Sequence, residues 1–533
     1  MLAKHRLYGF LSTFDVRSIS PWYVVIASLV CLSFLLQSHT DFNLADEGFL
    51  WYGAKRVLVG EVPILDFQAY DPVRYYWAAG FMHLLGDSGV VSLRVGAAVC
   101  QFATLSLAVY MLIHNAGSTK KDFIYGLLVA ILVMMLWMYI YYKIYDVAAS
   151  ILLIFSIARL LEQPNSRRFF STGFCIGFAA AIGRNHGIYG LFACACAVTS
   201  IQFGSKQIVS LKKSIGLIGL GVFFGFFPVW MSMLVFDGYA KAFLESVSYI
   251  FEIGSTNLTI PVPWPWLVLD SDLSPLRALH KFIAGLCFIA LPFFAVTLVG
   301  LVVWIRLKGQ NSRPTIESVA WLSMPYAHYA FSRADIPHLS LGIFPMILGL
   351  FSISLTLQSR YRLFLIGLIV FFSSLLMLPL HPYGKCSIVH DCISIDIDGD
   401  KILIPKNKAN QVQNIRAIAH KYSSANDFIL ITPSWPGGYA LLDKKAPTYD
   451  IYTLSRRSSY FQEAEIARLR NTSPSLAIII QDVPNGNYDY KFENTNPLTY
   501  NYILEQFQST ATSLSEAKVY RKDKFRNSPV LSQ

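Results

Sequence analysis

The chain has 533 residues, of which 54% are hydrophobic and only 14% carry a charge. Soluble domains usually contain about 25% charged residues, so this composition indicates a polytopic membrane protein and excludes an ordinary soluble one. The net charge of +11 would suggest a nucleic-acid partner in a soluble protein. In membrane proteins, however, Lys and Arg collect in the cytoplasmic loops. The sequence has no basic stripe interleaved with aromatic residues, and we exclude nucleic acid as a partner.

The first apolar segment follows a basic N-terminus that contains Lys4, His5, Arg6 and Arg17. No small-residue cleavage site follows it, so we interpret it as an uncleaved first span and not as a removed signal sequence. Further apolar segments along the chain bring the prediction to about eleven transmembrane helices. They are Trp22–Leu36, Val90–Ile113, Phe123–Tyr141, Val147–Leu161, Phe169–Ile182, Ile188–Phe203, Ile215–Phe236, Phe282–Ile305, Ile316–Phe331, Leu339–Leu357 and Leu363–Leu380.

Basic residues fall in alternate loops and predict the orientation of the chain. Together with the basic N-terminus they form one cytoplasmic set. The loops contain Lys120 and Lys121; Arg167 and Arg168; Lys206, Lys212 and Lys213; Arg306, Lys308 and Arg313; and Arg360 and Arg362. An odd number of spans then puts the C-terminal part outside. We expect a multi-pass protein of the plasma (inner) membrane with a cytoplasmic N-terminus.

The sequence changes character near residue 382. We therefore predict a transmembrane domain over residues 1–381, with a first outer loop at 40–77, and an extracytoplasmic α/β domain over residues 382–533. Strand-like runs in the second part are Asp427–Thr432 and Leu476–Asp482, and helical stretches are Gln411–Tyr422 and Gln462–Arg470. This alternation is typical of a small α/β domain. On an oxidising side of the membrane, Cys386 and Cys392 are expected to close a small disulfide loop.

Polar residues that suit chemistry collect in the predicted outer loops. The set consists of Asp46 and Glu47; Lys143 and Asp146; Arg184, Asn185 and His186; the loop Asp237–Leu279; and Arg333, Asp335 and His338. Ionisable residues at the ends of spans are costly and are therefore expected to serve a function. Their occurrence on one face predicts an outward-facing site.

Asp46 and Glu47 are the first candidates for catalysis. A carboxylate beside a low-dielectric boundary can act as a general base, and a pair of acids can hold a divalent metal. The alternative is structural, with Asp46 as the N-cap of a helix over Gly48–Val59. Asp146 is either the cap of the following span or a second acid facing Asp46, with Lys143 as its neighbour.

Arginine and histidine residues form the second group of candidates. The guanidinium groups of Arg184 and Arg333 present a fork of donors that suits phosphate oxygens. The alternative for each is contact with lipid headgroups. His186 and His338 offer a donor or a proton, and the alternative for each is an ordinary structural hydrogen bond. Asp335 belongs to the same turn as Arg333.

In these features the chain resembles the GT-C fold glycosyltransferases, a group that includes the protein O-mannosyltransferases and the lipid A aminoarabinose transferase. The likeness consists of Asp46-Glu47 after the first span, the segment Asp71–Gly86, and Arg94 opening the second span. Asp146 and the sequences RNHGIY and SRADIPH add to it. The chain has Asp71-Pro72-Val73 where the aminoarabinose transferases have Lys-Pro-Pro, so the aminoarabinose identity is not adopted. Arg74 is expected as the substitute phosphate contact, with Tyr75 beside it in the substrate-binding set.

The resemblance implies a donor in which a sugar is linked to a polyprenyl phosphate. The acceptor would be a glycan, a lipid or a protein at the outer face of the membrane, with membrane lipid around the site. Asp46 would be the base of an inverting transfer to an acceptor hydroxyl, with Asp146 or Glu47 orienting the sugar. We expect no cofactor, because no compact cluster of metal ligands is evident, although a divalent metal remains an alternative. The rival hypothesis is a transporter or flippase of a lipid-linked saccharide. Such a protein should place ionisable groups near the middle of the membrane.

Overall fold

The computed structural model describes residues 16–116, 121–203, 209–254, 257–258, 260–269, 273–386, 391–481, 488–510 and 516–522. The basic residues Lys4, His5, Arg6, Lys120 and Lys206 lie outside this set. The chain divides into two compact units. The helical unit consists of Met1–Ser38, Ala97–Phe226 and Val262–His381, and the mixed unit consists of His39–Gly96, Phe227–Pro261 and Pro382–Gln533.

Along the chain the helices come first, and the described strands all follow residue 391. The helices of the first 381 residues are α1 Val16–Gln37, α2 Asp46–Leu58, α3 Val73–Leu85, α4 Val90–Ala116, α5 Lys121–Trp137, α6 Ile144–Glu162, α7 Ser166–Ile182, α8 Arg184–Phe203, α9 Leu211–Gly225, α10 Phe227–Val235, α11 Tyr239–Ile253, α12 Pro265–Leu269, α13 Pro275–Leu307, α14 Pro314–Ser332, α15 Ile336–Gly342, α16 Phe344–Ser354 and α17 Ser359–Met377. After them come α18 Pro382–Gly384, β1 Cys392–Ile397, β2 Asp400–Pro405, α19 Lys406–Tyr422, β3 Ile429–Thr432, α20 Gly437–Leu441, α21 Ser459–Thr472, β4 Leu476–Ile480, α22 Phe492–Thr495, α23 Pro497–Gln506, β5 Phe507–Ser509 and β6 Ala517–Lys522.

Within the described ranges, four helical stretches are long and apolar enough to cross a membrane, or up to six spans if each of two bent pairs counts as one. They are Val90–His114, Tyr141–Glu162, Pro275–Leu307 and Ser359–Leu380. The prediction of a multi-pass membrane protein is therefore confirmed, but the count of eleven is not. Two further expected spans coincide with the apolar stretches Pro21–Gln37 of α1 and Phe123–Trp137 of α5.

Helices α7 and α9 of the helical unit contact each other through glycines. Gly173 and Gly177 lie four residues apart on α7, and Gly221 and Gly225 have the same spacing on α9. A Cβ added at any of the four would collide with a carbonyl oxygen of the facing helix. Because lipid is as apolar as leucine, helices in a membrane associate through close backbone packing of small residues. The two glycine pairs explain why these helices pair.

The mixed unit contains the α/β structure expected after residue 382. Its four-stranded sheet has the order β3-β4-β6-β5, with β3 and β4 parallel and the other neighbours antiparallel. All residues of β3 and β4 are buried, as is usual for parallel strands covered on both faces. Strands β1 and β2 form a separate hairpin, closed by Asp398 and Gly399 at φ of 56° and 89°. Positive φ at both turn residues matches the twist of a tight hairpin.

The first loop belongs to this same mixed unit. Thr40 pairs with Leu403 of β2, and the backbone N–H of Asp41 donates to the Leu403 carbonyl at 2.9 Å. Gly48 on α2 meets Gly437 at the start of α20, where a Cβ on Gly48 would lie 2.5 Å from the Gly437 Cα atom. Gly437 and Gly438 therefore open a short helix that packs on α2. Cys386 and Cys392 form the expected disulfide in the same unit.

Candidate active site

Helix α2 begins with the two acids of the first loop. Asp46 is its first residue, and the N-cap is Ala45, which makes no side-chain capping bond. The alternative in which Asp46 is the cap of a helix starting at Gly48 is therefore wrong in register. A carboxylate in the first turn still lies beside the positive end of the helix dipole. Successive helical residues point about 100° apart, so Asp46 and Glu47 face different surroundings.

Glu47 is buried in an ion pair with Arg94 of α4. The Arg94 Nε–Glu47 Oε1 distance is 2.8 Å and the Nη2–Oε2 distance is 2.9 Å. Arg94 also donates to the carbonyl oxygens of Thr40 at 3.0 Å and Asp41 at 2.6 Å. Both side chains are almost completely excluded from solvent, at 2% and 4% exposure. This bidentate geometry, with two parallel N–H···O bonds, is the strongest arrangement of an Arg–carboxylate pair. It fixes the first loop on α4.

Asp46 has a different neighbour. Its Oδ1 atom accepts a hydrogen bond from the Tyr452 hydroxyl at 3.1 Å, and the residue is only half-buried. Tyr452 lies 406 residues away in the C-terminal part of the mixed unit. No sequence pattern indicated this contact, because nothing around Tyr452 marks it among the 29 tyrosines of the chain.

Tyr75 and Arg74 lie on α3, which packs against α2. Tyr75 has no exposed surface. Its ring lies against Gly53, at a point where a Cβ would collide with it, and its hydroxyl accepts from the Tyr70 N–H at 3.0 Å. Arg74 is also buried, with its guanidinium 5.1 Å from the centre of the Tyr70 ring. The predicted roles of these two residues in substrate binding stay predictions.

Asp41, which no sequence pattern marked as a candidate, anchors the first loop to the C-terminal residues. Its carboxylate pairs with the Lys385 Nζ at 2.8 Å and the Lys408 Nζ at 2.7 Å. Burial by itself would raise the pKa of Asp41, but Lys408 and Lys385 outweigh it and hold the pKa well below its usual range. Asp41 is therefore ionised wherever the protein is folded near neutral pH.

Asp146 and His186 meet in the helical unit. Asp146 lies in the first turn of α6, and its Oδ1 atom is 2.9 Å from the His186 Nε2 atom near the start of α8. The His186 Nδ1 atom is 2.9 Å from the Tyr326 hydroxyl of α14. A carboxylate only accepts, so the Nε2–H of His186 donates to Asp146. Both His186 and Tyr326 are fully buried. The two contacts hold the His186 ring between α6 and α14.

Arg333, Asp335 and His338 form a second connected group in the helical unit. Asp335 is the N-cap of α15 and accepts from the His338 backbone N–H at 2.9 Å. Its carboxylate also lies 2.7 Å from the His338 Nδ1 and 2.7 Å from the Arg333 Nε. The Tyr329 ring stacks on both His186 and His338, with ring centres 5.8 Å and 6.0 Å apart. The two predicted Arg/His turns are thus brought together through one tyrosine.

Lys143 and Arg184 both lie close to the start of a helix in this unit. Lys143 ends a short 3-10 turn over Tyr141–Lys143, directly before α6, and is buried. Arg184 is the first residue of α8 and is half-buried. The Lys143 Nζ lies 5.9 Å from the centre of the Tyr142 ring. Asp146 and Arg184 therefore lie in the first turns of their helices, and Lys143 directly precedes α6.

The predicted site residues fall into two groups according to unit. Asp46, Glu47, Arg74 and Tyr75 lie on α2 and α3 of the mixed unit. The helical unit holds the rest, namely Lys143, Asp146, Arg184, His186, Arg333, Asp335 and His338. That Asp46 and Asp146 face one another stays a prediction. In the part of the chain that the structure describes, no group of three or more His, Cys, Asp or Glu side chains is placed to hold a metal ion.

Comparison with known proteins finds likeness only in solved structures. No family model and no curated protein matches the sequence. The chain is similar to ArnT from Cupriavidus metallidurans in the apo state, with 10% identity over 94% of this chain and 98% of that chain and a TM-score of 0.47. It is also similar to the oligosaccharyltransferase of Archaeoglobus fulgidus in the apo form, with 11% identity over 95% of this chain and 75% of that chain and a TM-score of 0.41.

A third structure is that of the archaeal oligosaccharyltransferase AglB from Archaeoglobus fulgidus in complex with an inhibitory peptide and a dolichol-phosphate. Its identity is 11%, the coverage is 97% of this chain and 76% of that chain, and the TM-score is 0.40. ArnT and AglB are both GT-C fold glycosyltransferases, the group that the sequence resemblance names. At TM-scores below 0.5, neither likeness assigns a residue role or a substrate to this chain.

Proposed function

We propose that the protein is an integral membrane glycosyltransferase. It moves a sugar from a polyprenyl-phosphate donor to an acceptor hydroxyl at the extracytoplasmic face, with inversion at the anomeric carbon. Asp46 takes the proton of the acceptor hydroxyl while the oxygen forms a bond to the anomeric carbon. The bond from that carbon to the phosphate oxygen breaks, and the electron pair leaves with the phosphate. The acceptor is a glycan, a lipid or a protein, and the transfer needs no metal.

The different surroundings of the two adjacent acids carry this proposal. The negative charge of Glu47 is neutralised by Arg94 in a buried, bidentate ion pair. Asp46 is half-buried and accepts a hydrogen bond from a tyrosine hydroxyl, and a partly exposed carboxylate beside a neutral donor suits proton transfer. A general base must reach the proton that it removes, and a partly exposed carboxylate at the start of a helix meets this requirement. Glu47 then serves to position the loop that bears Asp46.

A second set of predicted residues supplies the rest of the proposed machinery. Arg184, Arg333 and Lys143 offer positive charge to the phosphate that leaves, with Arg74 as a further proposed contact. Preorganised charge of this kind lowers the barrier by several kcal/mol in a site with little water. Asp146, held by His186, orients the sugar. His338 and Asp335 fix the turn that carries Arg333. The Asp335 carboxylate lies 2.7 Å from both the Arg333 Nε and the His338 Nδ1, which supports this role.

The protein is proposed to cross the plasma (inner) membrane about eleven times, with a cytoplasmic N-terminus. The transfer takes place at the outer face of that membrane. The disulfide between Cys386 and Cys392 supports an oxidising surrounding for the C-terminal residues. The alternation of basic loops in the sequence supports the same orientation.

Mass spectrometry of envelope glycans tests the proposal in cells. A strain lacking the gene is compared with the same strain carrying the wild-type protein, Asp46→Asn, or Glu463→Gln. Glu463 is an exposed acid on α21 and is the matched control. We expect one sugar modification to disappear on deletion, return with the wild type and E463Q, and stay reduced at least about 100-fold with D46N, the scale of general-base catalysis.

The flippase hypothesis predicts another result in the same experiment. A flippase has no catalytic base, so D46N would restore the modification at a level close to that of the wild type. No glycan change on deletion would contradict both hypotheses. Membrane levels of each variant, measured by immunoblotting, separate a loss of activity from a loss of protein.

A further inference from the structure

The residue that contacts the proposed base comes from the C-terminal part of the chain. The Tyr452 hydroxyl lies 3.1 Å from the Asp46 Oδ1 atom and donates to it. The Tyr452 ring also lies 5.6 Å from the ring of Phe49, one turn along α2 from Asp46. Tyr452 therefore touches two side chains at the start of that helix. Neither contact was foreseen from the sequence.

The backbone of Tyr452 is held from both sides. Its N–H is shared between the Gln68 Oε1 atom of the first loop and the Asp450 Oδ1 atom, each at 3.2 Å. The Gln68 N–H donates in return to the Tyr449 carbonyl at 2.9 Å. These bonds tie the segment 449–452 to the first loop at two successive points. The hydroxyl of Tyr452 thus reaches Asp46 from a fixed backbone.

Asp450 is itself fixed by a buried ion pair. The Arg457 Nε lies 2.7 Å from the Asp450 Oδ2, with the two side chains 7% and 1% exposed. The Arg457 guanidinium also lies 3.5 Å from the centre of the Tyr249 ring of α11. The Asp450 N–H donates to the Glu465 Oε2 at 3.1 Å. Buried pairs with further hydrogen bonds hold one geometry, because breaking either partner leaves an uncompensated charge.

We propose that Tyr452 is a positioning residue for Asp46, so that the C-terminal part of the chain completes the site. This inference rests on the proposed function. The phenol donates to Oδ1 and so restrains the orientation of the Asp46 carboxylate. A hydrogen bond donated to a carboxylate favours its ionised form, the form in which Asp46 accepts a proton. Arg457 and Asp450 maintain the backbone from which Tyr452 acts.

The variant Tyr452→Phe removes the donor and retains the ring against Phe49. Without the donor, the ionised form of Asp46 loses a hydrogen bond, and we expect its titration midpoint to rise by about 0.5 to 1 pH unit. The acid limb of the transfer activity should move to higher pH by the same amount. A purely structural role for Tyr452 would lower the unfolding temperature without moving either curve.

Carboxyl labelling measures the titration without any assay of transfer. The purified full chain in detergent is labelled with a water-soluble carbodiimide and glycine ethyl ester at a series of pH values. Mass spectrometry then quantifies the label on Asp46 relative to Glu463. The matched control is Tyr449→Phe, because the Tyr449 hydroxyl also bonds to the first loop, at the Ile64 carbonyl, 2.7 Å away. We expect the Asp46 midpoint to rise in Y452F and to stay at the wild-type value in Y449F.

Equal midpoints in the wild type and Y452F would overturn the inference, as would an equal rise in Y452F and Y449F. Should Y452F fail to accumulate, Gln68→Ala gives the same comparison, because it removes a backbone contact of Tyr452 and leaves the hydroxyl in place. Its midpoint should rise by a smaller amount, and an unchanged midpoint would refute the positioning role. The labelling result does not depend on transfer, so failure of the proposed function, seen as an unchanged glycan profile on deletion, is recognised separately.

Discussion

The contact between α7 and α9 and the contact between the first loop and the C-terminal residues are built from different chemistry. In the first, glycines on both helices let the two backbones approach each other. In the second, ion pairs link the parts, with Asp41 between Lys385 and Lys408, and Lys55 at 3.0 Å from Asp398. Gly48 and Gly437 add one close approach there as well.

The difference follows from the surroundings that each contact is expected to have. Apolar helices in a bilayer gain little from burying leucine, so they depend on backbone contact. Residues of the mixed unit can use charge, because partners with good geometry compensate for the water they lose. Steric substitution should therefore break the first contact, whereas changes in charge or pH should break the second.

The largest effect is expected from Gly177→Leu on α7. A side chain at this position collides with the Val222 carbonyl of α9, and a backbone atom of a packed helix cannot move aside cheaply. We expect little or no monodisperse protein after extraction, measured by fluorescence-detected size-exclusion chromatography. Gly216→Leu on α9 is the control, because a Cβ there meets no atom within 4 Å. A wild-type profile for G177L would show that the glycine contact is dispensable.

A smaller effect is expected from breaking the pair that fixes the first loop. Arg94→Met leaves the charge of Glu47 buried without its partner, which costs about 3–5 kcal/mol. Removing both charges in R94M/E47Q should cost less than R94M alone. Thermal unfolding of the purified variants measures this double-mutant cycle. Additive losses would mean that the two side chains do not depend on one another.

The smallest effect, and the one that sharpens the comparison, concerns Asp41. Its folded pKa lies below the ordinary value of 3.8, because Lys408 and Lys385 outweigh the effect of burial. An acid with a depressed folded pKa stabilises the fold above its unfolded pKa, and this contribution is lost as the pH falls toward the folded value. We expect Asp41→Asn to unfold at a lower temperature than the wild type near pH 7.

The difference between Asp41→Asn and the wild type should shrink as the pH falls below about 4. Asparagine suits the position because Asp41 has a φ of 54°, in the left-handed region that Asn tolerates. Unfolding temperatures of both proteins from pH 7 to pH 3 provide the measurement. Gly216→Ala, assayed in the same buffers, should show no pH-dependent difference from the wild type, because a Cβ there meets no atom within 4 Å. A constant difference for D41N would contradict the ion-pair account.

Much of the fold could be predicted from local patterns. Apolar segments identified a multi-pass membrane protein, although the number of spans exceeded what the helices support by length and composition. Strand-like runs at 427–432 and 476–482 contain the observed β3 and β4, because buried parallel strands read as continuous apolar sequence. The spacing of six between Cys386 and Cys392 was enough to suggest their disulfide. The glycine spacing on α7 and α9 was also present in the sequence but was not recognised.

The sequence by itself determined the class of protein, the α/β character after residue 382 and the presence of two adjacent acids in the first loop, because composition and short-range periodicity fix these features. Only the tertiary structure decided what each acid does. Glu47 meets Arg94 from 47 positions away, and Asp46 meets Tyr452 from 406 positions away. The side chains of neighbouring residues in a helix point about 100° apart, so two adjacent acids of the same charge contact different partners. Their partners depend on how distant segments pack, which no local pattern contains.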